Sequence, residues 1–200
     1  MSILGIDEAG RGPVLGPLIV CGVLVDDENK LKKLNVRDSK LLSPRRRKIL
    51  AKEIKKVSKC FIVKIQAYEI DKLRIAGISL NEIERIAMSK IIKNANPKKV
   101  IVDSIDIKPK RLKKKLQKEN IEVIVEHKAD EKYPVVSAAS IVAKVERDSE
   151  IEKLKKRYNC DLGSGYPNDP KTIKFLKKFK RSELPDFVRK TWNTVEKLCK

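Results

Sequence analysis

The sequence predicts an α/β protein with a mixed five-stranded sheet flanked by helices and a small helical C-terminal region. Two observations carry this. The chain opens on two apolar, β-branched runs at hairpin spacing, and three further strand-like runs then alternate with segments of helical period.

The first run, Ile3-Leu4-Gly5-Ile6, ends in adjacent carboxylates, Asp7 and Glu8, before a Gly10-Arg11-Gly12-Pro13 loop. Successive strand side chains alternate between faces, so both acids can serve one ligand only if the chain leaves strand geometry there. The second run, Leu18 to Val25, closes on the polar turn Asp26-Asp27-Glu28-Asn29, and the glycine loop is expected to link an antiparallel pair. Lys30 to Leu34 suits a short helical turn. Ser43 and Pro44 then mark the N-cap and first residue of a basic helix reaching about Val57.

Cys60 to Ile65 reads as the third strand, and Ala67 to Leu73 as a helical turn. Ser79 to Asn94 is a helix, with Leu80, Ile83, Ile86, Ala87 and Ile91 at helical spacing behind a Ser79-x-x-Glu82 capping box. Val100-Ile101-Val102-Asp103 repeats the opening pattern of a buried strand ending in Asp. A basic helix, Lys108 to Lys118, and a fifth strand, Ile121 to Val125, follow. Val135 to Tyr158 is a long helix that starts on the small residues Ser137-Ala138-Ala139-Ser140. The polar loop Asn159 to Pro170 then leads to helices near Thr172 to Lys178 and Phe187 to Leu198.

Composition narrows the function. Forty-seven Lys and Arg against twenty-seven Asp and Glu leave a formal charge of +20, which favours a polyanionic partner, most simply nucleic acid. A lysine-rich surface kept for solubility is the competing explanation. Cys21, Cys60, Cys160 and Cys199 form no C-x-x-C pair and accompany no histidine cluster, which argues against zinc. No secretory leader and no apolar run of spanning length is evident, so a cytoplasmic protein with reduced thiols and no membrane contact is expected.

Four acids stand out by position: Asp7 and Glu8 ending the first strand, Asp103 ending the fourth, and Asp130 just ahead of the long helix. If the first and fourth strands are neighbours, Asp7 and Asp103 emerge side by side and Asp130 closes the group. Carboxylates so crowded repel one another unless a divalent cation bridges them, and all-oxygen ligation selects Mg²⁺ or Mn²⁺. Two ions about 4 Å apart stabilise both oxygens of an in-line displacement at phosphorus. The alternatives are an ordinary acidic turn at Asp7-Glu8 and a dinucleotide-binding loop. The latter has the wrong glycine spacing, and bare carboxylates ahead of it would repel a pyrophosphate. His127, the single histidine, lacks an evident serine or cysteine partner and reads as structural.

The motifs Gly5-Ile6-Asp7-Glu8-Ala9-Gly10-Arg11-Gly12-Pro13, Asp38-Ser39-Lys40, Asp103, Lys128-Ala129-Asp130, Ser137 to Lys144 with Arg147-Asp148, and Gly163-Ser164-Gly165-Tyr166-Pro167 resemble the type 2 ribonuclease H family (ribonuclease HII), most nearly its single-chain archaeal form. The resemblance runs to about Trp192. It implies a ribonuclease H-like catalytic domain over 1–158, with a substrate-contacting loop and helical region over 159–200. It implies that Asp7, Glu8, Asp103 and Asp130 bind two Mg²⁺ or Mn²⁺ ions. It also implies that the backbone of Gly10, Arg11 and Gly12 meets a ribonucleotide 2′-hydroxyl, and that Tyr166 packs on the sugar at an RNA-to-DNA junction.

Ser39 and Lys40 resemble the family's phosphate contacts; Lys144 and Arg147, on the helix after Asp130, are expected to help hold phosphate, with a solvated helix face as the alternative for Arg147. The implied substrates are RNA–DNA hybrids and duplex DNA containing ribonucleotides, nicked 5′ to the ribonucleotide. A monomer is expected. No glutamine-led aromatic clamp motif follows Trp192, so sliding-clamp contact is not expected. Rival readings are a non-catalytic nucleic-acid-binding protein and another carboxylate nuclease of the same fold.

Overall fold

The computed structural model describes residues 1–36 and 42–199. Five strands form one sheet: β1 (Ile3–Ala9), β2 (Leu18–Val25), β3 (Lys59–Ile65), β4 (Lys99–Asp103) and β5 (Glu122–Glu126). Their order is β3-β2-β1-β4-β5. β4 runs parallel to both β1 and β5. Residues 10–17 alone join β1 to β2. So short a link cannot carry a parallel crossover, and the sheet is mixed.

The helices are α1 (Asn29–Lys33), α2 (Pro44–Val57), α3 (Ala67–Ile75), α4 (Leu80–Ala95), α5 (Pro109–Leu116), α6 (Ala129–Lys132), α7 (Pro134–Tyr158), α8 (Pro170–Leu176) and α9 (Asn193–Leu198). Their starts follow local chemistry. The Ser43 hydroxyl accepts from Arg46 N at 3.3 Å ahead of Pro44, and the Ser79 hydroxyl accepts from Glu82 N at 3.3 Å ahead of α4. Asp169 caps α8 by accepting from Lys171 N at 2.9 Å. Among the described residues, no helix is long and apolar enough to cross a membrane.

Two expectations change. β1 does not stop at its acids: it continues through Asp7 and Glu8 to Ala9. The helix expected from Phe187 begins only at Asn193, because Val188 is instead held extended in an antiparallel bridge with Leu15 and Arg189 N donates to Val14 O at 2.9 Å.

The described residues divide into two compact units. The first comprises residues 1–9, 20–63 and 84–145, and its buried positions include Leu4, Ile6, Val100, Val102 and the α7 residues Ala138, Ala139 and Val142. Within it, β1 and α7 come very close at Gly5, where an added Cβ would lie 2.3 Å from the Val135 carbonyl carbon. Only glycine permits that approach. The second unit comprises residues 10–19, 64–83 and 146–200. Its core gathers Leu15, Leu162, Phe175, Leu176, Phe187 and Val188. Phe175 packs on Phe187 with ring centroids 5.8 Å apart.

Candidate active site

Strand register builds the acidic group in the first unit. Ile6 of β1 stands opposite Val102 of β4 in a parallel pairing, so the next residue on each strand, Asp7 and Asp103, emerges at the same level. Asp130 arrives from the third direction. Asp103 Oδ1 accepts from Ala129 N at 3.0 Å, which ties the start of α6 to the end of β4 and delivers Asp130 one residue on. Lys128 makes the entry turn with a left-handed backbone, φ 57°. Asp7, Asp103 and Asp130 each offer a carboxylate oxygen, and these atoms all lie within 4.8 Å of one another.

Glu8 is not in that trio. It still acts on the site. The Asp7 carboxyl is held well above the usual carboxylate range, first by burial, then by the negative charge of Glu8, with a smaller contribution from Asp103. A hydrogen bond from Ser140 and one from the Glu8 backbone N–H, at 2.8 Å, pull the other way. Ser140 also accepts from Lys144 Nζ at 2.7 Å, so Lys144 is linked through a hydroxyl to Asp7. Three hard oxygen donors crowded at a partly buried point fit Mg²⁺ or Mn²⁺, whose charge would offset both the burial and the repulsion that raise Asp7.

The second unit carries Gly10, Arg11, Gly12 and Tyr166. Gly10 has φ +93°, and a Cβ there would lie 2.7 Å from Pro17 O, so this position requires glycine. A Cβ on Gly12 would sit 3.6 Å from the Tyr166 ring, which places that ring directly against the glycine loop. The Arg11 guanidinium donates to Asn81 Oδ1 at 2.5 Å. Val14 N donates to Gly165 O at 2.8 Å, joining the end of this loop to the Gly163–Tyr166 loop. Ser39 and Lys40 lie outside the described residues.

A family model described as Ribonuclease HII matches residues 4–195. This chain belongs to the ribonuclease HII family. The ribonuclease HII of Methanothermobacter thermautotrophicus is 52% identical over 203 residues, covering 98% of this chain and 98% of that protein. Among solved structures, the PCNA:RNase HII complex from Archaeoglobus fulgidus matches with TM-score 0.91 and 46% identity over 96% of each chain. The ribonuclease H2 from Pyrococcus horikoshii OT3 matches with TM-score 0.91 and 40% identity, covering 99% of this chain and 97% of that one. The fold is therefore ribonuclease H-like, and the chain is an endoribonuclease acting on RNA–DNA hybrids.

Within this ribonuclease HII fold, sequence reasoning missed Ser140 and Arg189 and left Arg147 between two readings. Ser140 counted only as a small residue, yet its hydroxyl bridges Lys144 and Asp7. Arg147 is not on a solvated face. It is 6% exposed, donates to Ser164 O at 2.5 Å and stands 5.1 Å from the Tyr166 ring centroid. Burial pushes its guanidinium pKa down, with the charges of Tyr166 and Asp148 opposing. Arg189 is fully buried among carbonyls of the 10–16 loop. A basic residue in a basic chain gave no signal of this; the partner that makes it legible is more than 170 residues earlier. Asp106 and Asp169 stand just ahead of α5 and α8 and accept from Lys108 N at 3.0 Å and Lys171 N at 2.9 Å.

Proposed function

We propose that this ribonuclease HII relative nicks duplex DNA on the 5′ side of an embedded ribonucleotide, as well as cutting the RNA strand of hybrids, by two-metal-ion phosphodiester hydrolysis. The products are 3′-hydroxyl and 5′-phosphate ends. The observation that carries the reading is the meeting of Asp7, Asp103 and Asp130 within 4.8 Å. With Glu8 as the fourth acid, these residues would hold two Mg²⁺ or Mn²⁺ ions. Bound there, divalent ions supply the positive charge that activates water and stabilises the developing charge at phosphorus.

The chain's own residues do the rest. Ser140 favours the ionised form of Asp7 that ligates, against the burial that raises its pKa, and Lys144 orients that hydroxyl while adding positive charge for phosphate. The loop of Gly10, Arg11 and Gly12 meets the 2′-hydroxyl through main-chain groups, and Tyr166 packs on the sugar at the junction. Both roles suit what stands in the second unit, a glycine that admits close backbone approach and a ring 40% exposed beside it. Ser39 and Lys40 complete the phosphate contacts in this reading. The +20 charge holds the duplex through its backbone. Residues 1–158 then act as catalytic domain and 159–200 as substrate-contacting region, in a cytoplasmic protein.

The test is an end-labelled duplex carrying one ribonucleotide. Efficient cutting immediately 5′ to it, leaving an end that a polymerase extends, supports the reading; a requirement for several consecutive ribonucleotides counts against it. The Archaeoglobus fulgidus relative was solved with PCNA. Gel filtration of this chain alone and with a PCNA ring measures both the expected monomer and any clamp contact.

A further inference from the structure

Arg189 has 0% exposure, an expensive place for a permanent positive charge. All three of its guanidinium nitrogens donate into one loop. Nε donates to Gly16 O at 3.1 Å, Nη1 to Arg11 O at 3.2 Å and Nη2 to Gly10 O at 2.6 Å. The Trp192 ring covers it, with the guanidinium carbon 4.8 Å from the ring centroid.

The segment that carries Arg189 is itself anchored. Val188 bridges Leu15, and Gly16 N donates to Phe187 O at 2.8 Å. The Asp71 carboxylate, 7% exposed, accepts from Lys190 N at 2.7 Å, Thr191 N at 3.0 Å and Thr191 Oγ1 at 2.6 Å. These main-chain bonds hold the loop at residues 14–16. The Arg189 fork extends the grip to Gly10 and Arg11.

The consequence follows from peptide geometry. A trans peptide unit is planar, with its C=O and N–H pointing in opposite directions, and no peptide bond among the described residues is cis. Drawing Gly10 O and Arg11 O toward the guanidinium therefore turns the N–H groups of Arg11 and Gly12 the other way. Two successive amide donors then point away from Arg189, on the loop that precedes Val14 and lies against the Tyr166 ring.

We infer that Arg189 is a positioning residue for ribose recognition: through the Gly10 and Arg11 carbonyls it aims the Arg11 and Gly12 amide N–H groups at the 2′-oxygen. This rests on the reading of the glycine loop proposed above. Asp71 acts one step further back, by fixing the 190–191 turn beside Arg189.

The test compares kcat/KM for a duplex containing one ribonucleotide with kcat/KM for the same duplex carrying a 2′-fluoro nucleotide at that position, in wild type, Arg189→Lys and Asp71→Asn. The ratio of the two does not depend on the fraction of folded enzyme, so a role confined to stability leaves it unmoved. Lysine keeps the charge but cannot form the planar fork, and the ratio is expected to fall about tenfold in Arg189→Lys and about threefold in Asp71→Asn. If wild type itself fails to prefer the ribonucleotide, the reading of the glycine loop falls and this inference with it. If wild type discriminates but both variants lose rate equally on the two substrates, Arg189 does not position the loop, and the inference alone is overturned. Should Arg189→Lys yield no folded protein, Asp71→Asn decides by the same ratio.

Discussion

Lys144 Nζ donates a 2.7 Å hydrogen bond to Ser140 Oγ one helical turn earlier on α7, and that hydroxyl serves the Asp7 carboxylate. A buried acid beside other acids tends to keep its proton, and a proton on Asp7 competes with a metal ion. The Ser140 bond is the side-chain contact that opposes this tendency.

Ser140→Ala removes a bond that favours ionised Asp7, so its pKa rises further. The acidic limb of the pH–rate profile is expected to move to higher pH, and the metal concentration for half-maximal rate to rise roughly tenfold, the low end for a hydrogen bond to a charged group. A limb that stays in place would separate Ser140 from the chemistry.

Gly5→Ala is expected to be among the most damaging small substitutions in the chain. Its Cβ meets main-chain atoms of Val135 and Val136 at 2.3 to 2.6 Å, and backbone does not yield as a side chain does. A cost of about 3 kcal/mol or more is expected in denaturant unfolding. At Gly22 the nearest atom, 2.4 Å away, is the Cγ2 methyl of Ile91, a side-chain atom of a buried helical residue whose χ1 is stiff but which can still shift more than backbone; Gly22→Ala should cost about 1–3 kcal/mol, less than Gly5→Ala. Equal costs at both positions would contradict this account of strand-to-helix approach.

Asp169 gives a pH dependence of stability. A hydrogen bond from the Ser164 side chain, then those from Ser164 N at 2.7 Å and Lys171 N at 2.9 Å, lower its carboxyl pKa from 3.8 to about 2. A depressed carboxylate pKa contributes stability that is present above the unfolded value and is lost as pH falls through the folded one. The melting temperature should therefore decline between about pH 4 and pH 2, and Asp169→Asn should lower it at neutral pH while flattening that decline. A parallel slope in the variant would assign the acid sensitivity elsewhere.

Tyr166→Ala removes the ring beside Gly12 and the surface that Arg147 stacks against. Cutting at a single ribonucleotide should drop several-fold more than cutting of a continuous hybrid, since a junction depends on sugar contact where a long hybrid offers many registers. Equal loss on both substrates would count against a junction-sensing role.

Much of this site was legible in the sequence because strand ends and hydrophobic period are local signals. Asp7 and Asp103 each close an apolar β-branched run, and the pairing of Ile6 with Val102 turns that shared pattern into proximity. Glu8 shows the limit: a strand pattern does not say how near it stands to the other three acids, and it is not part of their 4.8 Å group. Arg189 and Ser140 were illegible for a different reason. A buried arginine is recognised by its acceptors, all far away in sequence, and a bridging hydroxyl by its two partners, of which Lys144 is one turn away but Asp7 lies on a distant strand. The same long-range pairing with residues 14–16 cut short the helix expected from Phe187, where helical spacing alone gave no warning.

The central claim is that carboxylates from separate strands and a helix entry work as one metal-dependent centre. Cleavage of a duplex carrying one ribonucleotide tests it most directly, run with wild type in Mg²⁺, wild type in Mg²⁺ plus excess chelator, and Asp103→Asn in Mg²⁺. Nicking in the first alone, with duplex binding retained by Asp103→Asn, is the expected result. Nicking that survives the chelator, or that proceeds at the wild-type rate in Asp103→Asn, would contradict it.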